Sequence, residues 1–170
     1  MKASSKTVKI VTAALFAALS CVATMVIQVP SPMSGYVNLG DGLVLLSGFL
    51  LGPVWGGCAA GIGTALADLF SGYGYYAPGT FVIKFFMAFA AALILKKCGE
   101  KNKWAGLVSG GLLAEMIMVA GYFGYAALLL GKGVGAAASI PGNAIQGVFG
   151  IVVALILYPV LSKILNRKTA

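Results

Sequence analysis

The sequence predicts an all-α membrane protein, a bundle of six transmembrane helices with both termini cytoplasmic. Of its 170 residues, 60% are hydrophobic and only 9% are charged, whereas an ordinary soluble domain carries about 25% charged residues. A chain with so little charge cannot cover a surface that faces water. Six spans of about 20 apolar residues each use most of the length, so residues 1–170 are predicted to form a single integral membrane domain.

The basic residues predict the orientation of the bundle. Ten of the 12 lysines and arginines lie in three short clusters, separated by long apolar stretches, over residues 2–9, 96–103 and 163–168. Basic residues at the ends of apolar spans mark the cytoplasmic side of a membrane, so both termini and residues 96–103 are expected inside. Membrane topology therefore explains why the net charge is +8, and no nucleic-acid partner is expected.

The first span is predicted over residues 9–29, from the basic start to the break at Pro30-Ser31-Pro32. A cleaved signal peptide is the alternative interpretation. The apolar run is longer than a typical signal core, and no small-residue cleavage site is followed by a polar mature protein. We therefore prefer a retained helix, followed by an outer loop over residues 30–40.

The second and third spans are predicted over residues 41–54 and 57–71. Gly52-Pro53 and Gly56-Gly57 are strong breakers of regular structure and divide the two spans. Both spans are short for a full crossing, so we expect them to be paired, tilted or partly buried by their neighbours.

Three longer spans complete the predicted bundle. Outer loops over residues 72–79 and 131–139 and a cytoplasmic hinge from Lys96 to Lys103 connect them. Trp104 at the start of the fifth span suits a membrane interface, where tryptophan is enriched. The fourth, fifth and sixth spans are predicted over residues 80–95, 104–130 and 140–161.

The residue types that most enzymes depend on are scarce. The chain has no histidine and three scattered cysteines, so neither histidine-based catalysis nor a metal site is predicted. No phosphate-binding GxxxxGK[ST] motif occurs, which argues against ATP use by this chain. Asp41 and Asp68 lack the GxGD-type context of intramembrane aspartyl proteases. We predict no catalytic residue and no cofactor in this chain.

Four ionisable side chains lie within or at the edge of the spans, namely Asp41, Asp68, Lys84 and Glu115. Such groups cost several kcal/mol in hydrocarbon unless they are paired or hydrated, which makes each a candidate functional residue. At about 1.5 Å per helical residue, the first three fall in the outer half of the bundle and Glu115 falls nearer the midplane. A buried Asp68–Lys84 ion pair that only holds helices together is the structural alternative.

Further polar side chains fall at the same outer depth. Asn143 and Gln146 are three residues apart and share one helix face. Donors and acceptors from several helices at one depth suit a small polar solute. Tyr75, Tyr76 and Tyr122 are candidates for stacking on a flat ring, and an interfacial aromatic belt or packing is the alternative. The predicted substrate-binding residues are Asn38, Asp41, Tyr75, Thr80, Lys84, Glu115, Tyr122, Asn143 and Gln146.

The first helix carries alanines at a spacing of four, as Ala13 with Ala17 and Ala14 with Ala18. Small residues at this spacing let another helix approach closely in a bilayer. The stripe predicts either packing inside this chain or docking of a partner helix.

These residues resemble the substrate-binding S components of energy-coupling factor (ECF) vitamin transporters. The resemblance covers most of the chain and is nearest to the branch for pyridoxine, hydroxymethylpyrimidine or related precursors, with riboflavin carriers as cousins. The motifs that carry it are Gly35-Tyr36-Val37-Asn38-Leu39-Gly40-Asp41, Gly52-Pro53, Gly61-Ile62-Gly63, Ala65-Leu66-Ala67-Asp68, Gly72-Tyr73, Ala77-Pro78-Gly79-Thr80-Phe81 with Lys84, and Pro141-Gly142-Asn143 with Gln146.

The resemblance implies a function and a set of partners. It implies a six-helix bundle in the bacterial cell membrane that captures its vitamin from outside, in a pocket capped by the first outer loop. It also implies a transmembrane coupling subunit and two cytoplasmic ATPases, which would use the ATP. Ala14 and Ala18 match the docking surface of the family, and all four alanines are taken as candidates for it. Glu115 is not part of the resemblance.

Two other functions fit parts of the same sequence. A membrane scaffold would use the polar groups only to hold helices together. A self-sufficient secondary carrier would transport its solute without a coupling module, although no internal repeat supports an inverted-repeat carrier.

Overall fold

The computed structural model describes residues 5–31 and 35–169, and these fold into six α-helices and one small β-hairpin. Short helical turns over Glu100–Asn102, Tyr125–Leu129 and Gly133–Ser139 lie in the connections. The helices agree with the predicted all-α class. The elements are α1 (Ser5–Val26), β1 (Gln28–Ser31), β2 (Gly35–Asn38), α2 (Asp41–Leu51), α3 (Pro53–Phe70), α4 (Ala77–Cys98), α5 (Lys103–Gly124) and α6 (Ile140–Thr169).

The long helices have the apolar surface of membrane spans. Within the described residues, four stretches are long and apolar enough to cross a bilayer, and α2 is a shorter apolar helix. Large apolar side chains such as Val11, Leu112 and Val148 are exposed on the helix surfaces, as expected for a protein surrounded by lipid. The number of full crossings and the side on which the termini lie stay predictions. The four stretches are Lys6–Val26, Ala77–Cys98, Glu100–Leu129 and Gly133–Leu165.

The short helix α2 lies at the centre of the bundle. Eight of its 11 residues are buried, and it packs against α1, α3, α4 and α6. Leu45 and Leu46 of α2 are fully buried with Met87 of α4. A helix of 11 residues is only about 16 Å long, and it tolerates this length because other helices surround it, as the sequence predicts.

Glycines bring the helices close together, and this overturns one predicted boundary. Gly52 alone separates α2 from α3, with φ of 83° and Pro53 at the first turn of α3. Gly56 and Gly57 were predicted as breakers, but they lie inside α3. A Cβ on Gly56 would approach the backbone oxygen of Ser47 to 2.4 Å, so this glycine serves helix contact and not chain reversal.

A hairpin occupies much of the predicted outer loop over residues 30–40. Strands β1 and β2 pair antiparallel, with Val29 opposite Val37, and β-branched and aromatic side chains favour this extended structure. The prediction of an irregular loop was therefore incomplete, and residues 32–34 lie outside the described part. We call the end of the bundle that carries the hairpin and the connection over residues 71–76 the hairpin end.

The structure divides the alanine stripe of α1 between two faces. Ala13 is buried, and a Cβ on Gly63 of α3 would approach the backbone oxygen of Ala17 to 2.2 Å. Ala13 and Ala17 therefore pack against neighbouring helices of this chain, which is the alternative that the sequence left open for them. Ala14 and Ala18 are exposed, and their docking role stays a prediction.

Candidate ligand-binding site

A partly open cavity of about 40 Å³ lies at the hairpin end. Its walls come from α1, β2, α3, α4, α5, α6 and the turn that precedes α6. Elements that are far apart in sequence therefore meet around one small space. The lining residues are Thr24, Gly35, Tyr36, Asn38, Thr64, Asp68, Tyr76, Thr80, Lys84, Tyr122, Ser139, Asn143 and Gln146.

A buried ion pair supports the floor of this cavity. The Lys84 ammonium on α4 pairs with the Asp41 carboxylate at the start of α2, and both side chains are 1% exposed. Gln146 on α6 donates to the second carboxylate oxygen of Asp41 at 2.7 Å. Asp41 thus has a partner on each oxygen, which offsets the cost of burying its charge. The negative charge also suits its position in the first turn of a helix.

The same network fixes the hairpin to α6. The backbone N–H of Asn38 donates to Oε1 of Gln146 at 2.7 Å, and Asn38 Oδ1 accepts from the backbone N–H of Gly40 at 2.8 Å. Gly40 is required here, because a Cβ would lie 2.1 Å from Oγ1 of Thr24. The amide oxygens of Asn38 and Gln146 therefore position the loop between β2 and α2.

Lys84 and Asn143 keep hydrogen-bonding groups for the cavity. A lysine ammonium has three N–H donors, and Asp41 is the one acceptor found for them among the described residues. The buried Asn143 side chain makes no hydrogen bond within the described part of the chain, although an amide has two donors and an acceptor. Both residues line the cavity, so their remaining groups are available to a bound molecule.

Tyrosine rings form one wall of the cavity. Tyr76 and Tyr122 meet edge to face with their ring centroids 6.3 Å apart, a favourable geometry for aromatic pairs. The Tyr122 hydroxyl lies 3.1 Å from Oγ1 of Thr80. The ammonium of Lys84 lies 5.4 Å from the centroid of the Tyr122 ring, within the range of a cation–π contact. This wall offers an aromatic surface beside a positive charge.

Asp68 on α3 faces the cavity from another side. Its Oδ1 accepts a hydrogen bond from the Tyr36 hydroxyl at 2.5 Å. The Asp68–Lys84 ion pair that the sequence offered as an alternative is absent from the described residues, because Lys84 pairs with Asp41 instead. Burial raises the pKa of the Tyr36 phenol, and the neighbouring Asp68 carboxylate raises it further, so the phenol keeps its proton and acts as a donor.

The structure brings six of the nine predicted substrate-binding residues into the lining and leaves three outside it. Asp41 lies outside the lining and holds Lys84 and Gln146. Tyr75 is 46% exposed, and its backbone oxygen accepts a hydrogen bond from Tyr125 at the surface. The adjacent Tyr76 points into the bundle in its place. The six residues in the lining are Asn38, Thr80, Lys84, Tyr122, Asn143 and Gln146.

Glu115 is the third predicted residue outside the lining. It is buried beside Asp41, since both approach within 3.0 Å of the position that a Cβ on Gly150 would occupy. Neither carboxylate oxygen of Glu115 has a hydrogen-bond partner among the described residues. Residues 5–31 and 35–169 contain no group of three or more His, Cys, Asp or Glu side chains suited to a metal ion.

Sequence reasoning missed several lining residues. Tyr36 stands in a motif that carries the resemblance, and that signal was sufficient to include it. Asp68 was a candidate functional residue but was left out of the predicted substrate-binding set. For Thr24 and Thr64, the only sequence feature that points to the cavity is a hydroxyl in an apolar helix. Many such hydroxyls donate to a backbone oxygen of the preceding turn, as that of Thr64 does to Ala60.

Comparisons with known proteins agree with this architecture. Residues 4–163 match the family model described as the ECF-type riboflavin transporter, S component. The solved structure titled "Structure and mechanism of the S component of a bacterial ECF transporter" is similar, with a TM-score of 0.71 and 25% sequence identity over 94% of this chain and 98% of that chain. An uncharacterized protein "in gap 3'region" from Pyrococcus woesei is 38% identical over 133 residues, which are 78% of this chain and 86% of that protein.

S components of ECF transporters are integral membrane proteins that bind a vitamin and work with membrane and ATPase modules. The match of the family model extends over nearly the whole chain. This chain therefore belongs to the family of ECF-type riboflavin transporter S components: it is a multi-pass membrane protein of vitamin uptake and not an enzyme.

Proposed function

We propose that this S component captures a vitamin or vitamin precursor with one heteroaromatic ring, of the pyridoxine or hydroxymethylpyrimidine class. It takes the ligand from outside the cell and delivers it across the membrane. The observation that carries the proposal is the cavity at the hairpin end, which joins an aromatic wall to unsatisfied polar groups. Lys6, Lys97 and Lys163 lie near the ends of α1, α4 and α6 that are remote from the hairpin, and they support an outward-facing hairpin end.

Some residues of the site hold its walls together and others meet the ligand. Asn38 and Gln146 of the lining, with Asp41 outside it, form the hydrogen bonds that fix the hairpin to α6 and α2. Lys84 and Asn143 present donors and an acceptor to polar ring substituents, and the ring of Tyr122 packs against the ligand ring. This division supports a small ring with substituents that bind at its edge.

The size of the cavity favours one ring over three. A water molecule needs about 10–15 Å³ of such volume, so about 40 Å³ holds roughly three waters. Even a single pyridine or pyrimidine ring requires the hairpin or the tyrosines to move outward. A fused three-ring flavin requires a much larger opening of the same walls.

Riboflavin is the second candidate ligand. The description of the matching family model names this vitamin, and a flat flavin ring suits a wall of tyrosines. The Asn38–Gln146 hydrogen bond fixes the hairpin to α6, so it would break if the hairpin moved outward to admit this ring.

The partners of this chain are proposed to be a transmembrane coupling subunit and two cytoplasmic ATPases, which use the ATP. Ala14 and Ala18 on the exposed face of α1 form the proposed docking surface. A double Ala14→Trp/Ala18→Trp variant should bind its vitamin normally and lose uptake in cells that contain the coupling module. Ala120→Trp, at an exposed alanine of α5, is the matched control and should retain uptake. Equal uptake by both variants would remove α1 from the docking surface.

The direct test of the ligand class is titration of the purified protein with pyridoxine, hydroxymethylpyrimidine, riboflavin and thiamine. Calorimetry and ligand-dependent melting shifts should identify a pyridine or pyrimidine as the tightest ligand. Preferential binding of riboflavin would favour the second candidate. Binding of none of the four, with no melting shift, would contradict vitamin capture by this cavity and support a scaffold.

A further inference from the structure

Asp68 lines the cavity, and one of its two carboxylate oxygens has no hydrogen-bond partner among the described residues. The Asp68 side chain is 4% exposed and lines the cavity. Tyr36 donates to its Oδ1, whereas its Oδ2 is buried and has no hydrogen-bond partner among the described residues. An unsatisfied buried carboxylate oxygen costs free energy, and burial within a membrane protein increases that cost.

No side chain in the described part of the chain forms an ion pair with Asp68. The two ion pairs found there join Lys84 to Asp41 and Lys103 to Glu100. Lys84, the lysine that lines the cavity, is thus already paired with another carboxylate. A positively charged or N–H-bearing ligand group at Oδ2 would satisfy Asp68.

We propose that Oδ2 of Asp68 accepts a hydrogen bond from a protonated ring nitrogen or a ring amino group of the bound vitamin. The inference rests on the proposed function and narrows its ligand class. The cavity then selects rings that carry such a donor and rejects anionic ring derivatives. Lys84 and Asn143 bind substituents elsewhere on the ring, and the Tyr36 hydroxyl holds the Asp68 carboxylate in place.

The test compares matched pairs of probes on the wild-type protein and on Asp68→Asn. One pair is amino-hydroxymethylpyrimidine and its analogue without the amino group. The other pair is pyridoxine and its carboxylate derivative, 4-pyridoxic acid. In at least one pair, wild-type protein should bind the amino-bearing pyrimidine more tightly than its analogue, or pyridoxine more tightly than its anionic derivative, by at least tenfold. Asp68→Asn should reduce this preference to less than threefold, because an amide oxygen lacks the charge that favours the donor.

Glu115→Gln is the matched control for loss of buried charge. It removes a second buried carboxylate that lies outside the cavity lining, so it should keep the wild-type preference. Melting curves without ligand check that each variant folds. If Asp68→Asn does not fold, the wild-type preference still decides, because a preference below threefold in both pairs overturns the inference.

The outcomes distinguish failure of this inference from failure of the proposed function. Tight binding of a pyridine or pyrimidine, with the same preference in wild-type protein and Asp68→Asn, overturns the role of Asp68 and leaves the proposed function intact. Binding of riboflavin alone, or of no probe, overturns the ligand class and the inference with it.

Discussion

The cavity at the hairpin end and the apolar core beside it use buried side chains in opposite ways. The core buries Leu45, Leu46 and Met87 completely, and α2 contacts α3 through glycine at a distance no larger residue permits. The cavity instead buries Lys84 and Asn143. Lys84 uses one of its three donors on Asp41, and the spare donors of Lys84 and Asn143 join no helices within the described residues, which favours a ligand site over a scaffold.

The buried acids make the same contrast on a smaller scale. Both oxygens of Asp41 have partners, and its role is to hold Lys84 and Gln146. Asp68 and Glu115 each keep at least one buried oxygen without a hydrogen bond. Asp41, the acid with a structural role, therefore has a hydrogen-bond or ion-pair partner on each oxygen. We take a buried carboxylate oxygen without a partner as a sign that the acid has another role or that its burial costs free energy.

The largest expected effect comes from breaking the buried ion pair. Lys84→Met leaves the Asp41 carboxylate buried without its cation, and the loss of one partner of such a pair costs about 3–5 kcal/mol of unfolding free energy. The double variant Asp41→Asn/Lys84→Met should recover most of that loss. Denaturant unfolding in detergent measures both.

The exposed pair provides the control for this prediction. Lys103→Met removes the partner of Glu100 at the opposite end of the bundle, where an exposed ion pair is worth about 0–1 kcal/mol. Equal losses for Lys84→Met and Lys103→Met would show that the Asp41–Lys84 pair is not a structural centre of the cavity.

The next effect tests the apolar core. A Cβ on Gly48 would lie 2.3 Å from the backbone oxygen of Ala88, so Gly48→Ala must push α2 away from α4. Overpacking of this kind costs about 1–3 kcal/mol, and the change should appear in thermal melting. Gly124→Ala, with no atom within 4 Å of the added Cβ, should be neutral or slightly stabilising. If both variants melt alike, close glycine packing does not hold α2.

The sequence was sufficient to locate the helices and most polar groups of the cavity. Long apolar runs between basic clusters predict spans without any knowledge of packing, and buried polar residues stand out against them. The hairpin was missed because two four-residue strands leave too short a pattern beside prolines. Gly56 was misread because a helix break and a close helix contact both favour glycine, and only the neighbouring helix distinguishes them.

The pairing of the charged groups depends on information that spacing lacks. Asp41 and Asp68 both lie at the depth of Lys84, and the rotation of α2 and α3 about their axes decides which one meets it. Tyr76 lines the cavity where Tyr75 was predicted to do so for a similar reason, because adjacent residues in a turn point in different directions. The depth of a polar side chain along its helix was predictable from the sequence, and the direction in which the side chain points across the bundle was not.

A smaller effect tests whether the cavity binds ligand through its spare amide. Asn143→Ala removes donors and an acceptor that no described residue uses, so stability should change by less than about 0.5 kcal/mol. Loss of one or two ligand hydrogen bonds should weaken vitamin binding about tenfold, measured by calorimetry. Asn102→Ala, at an exposed position, should change neither quantity. A large loss of stability with unchanged affinity would instead make Asn143 a helix-joining residue.

The smallest effect concerns Glu115, the buried acid that neither lines the cavity nor pairs with a cation among the described residues. Glu115→Gln removes a carboxyl beside Asp41 and adds an amide N–H that can donate to that carboxylate. We expect stabilisation of up to about 1 kcal/mol, the net worth of one hydrogen bond, seen as a higher melting temperature. Glu100→Gln, at an exposed position in the hinge, should change it less. If Glu115→Gln destabilises the protein by more than about 2 kcal/mol, Glu115 is a partner that the bundle requires, and incomplete pairing loses its value as a sign of function.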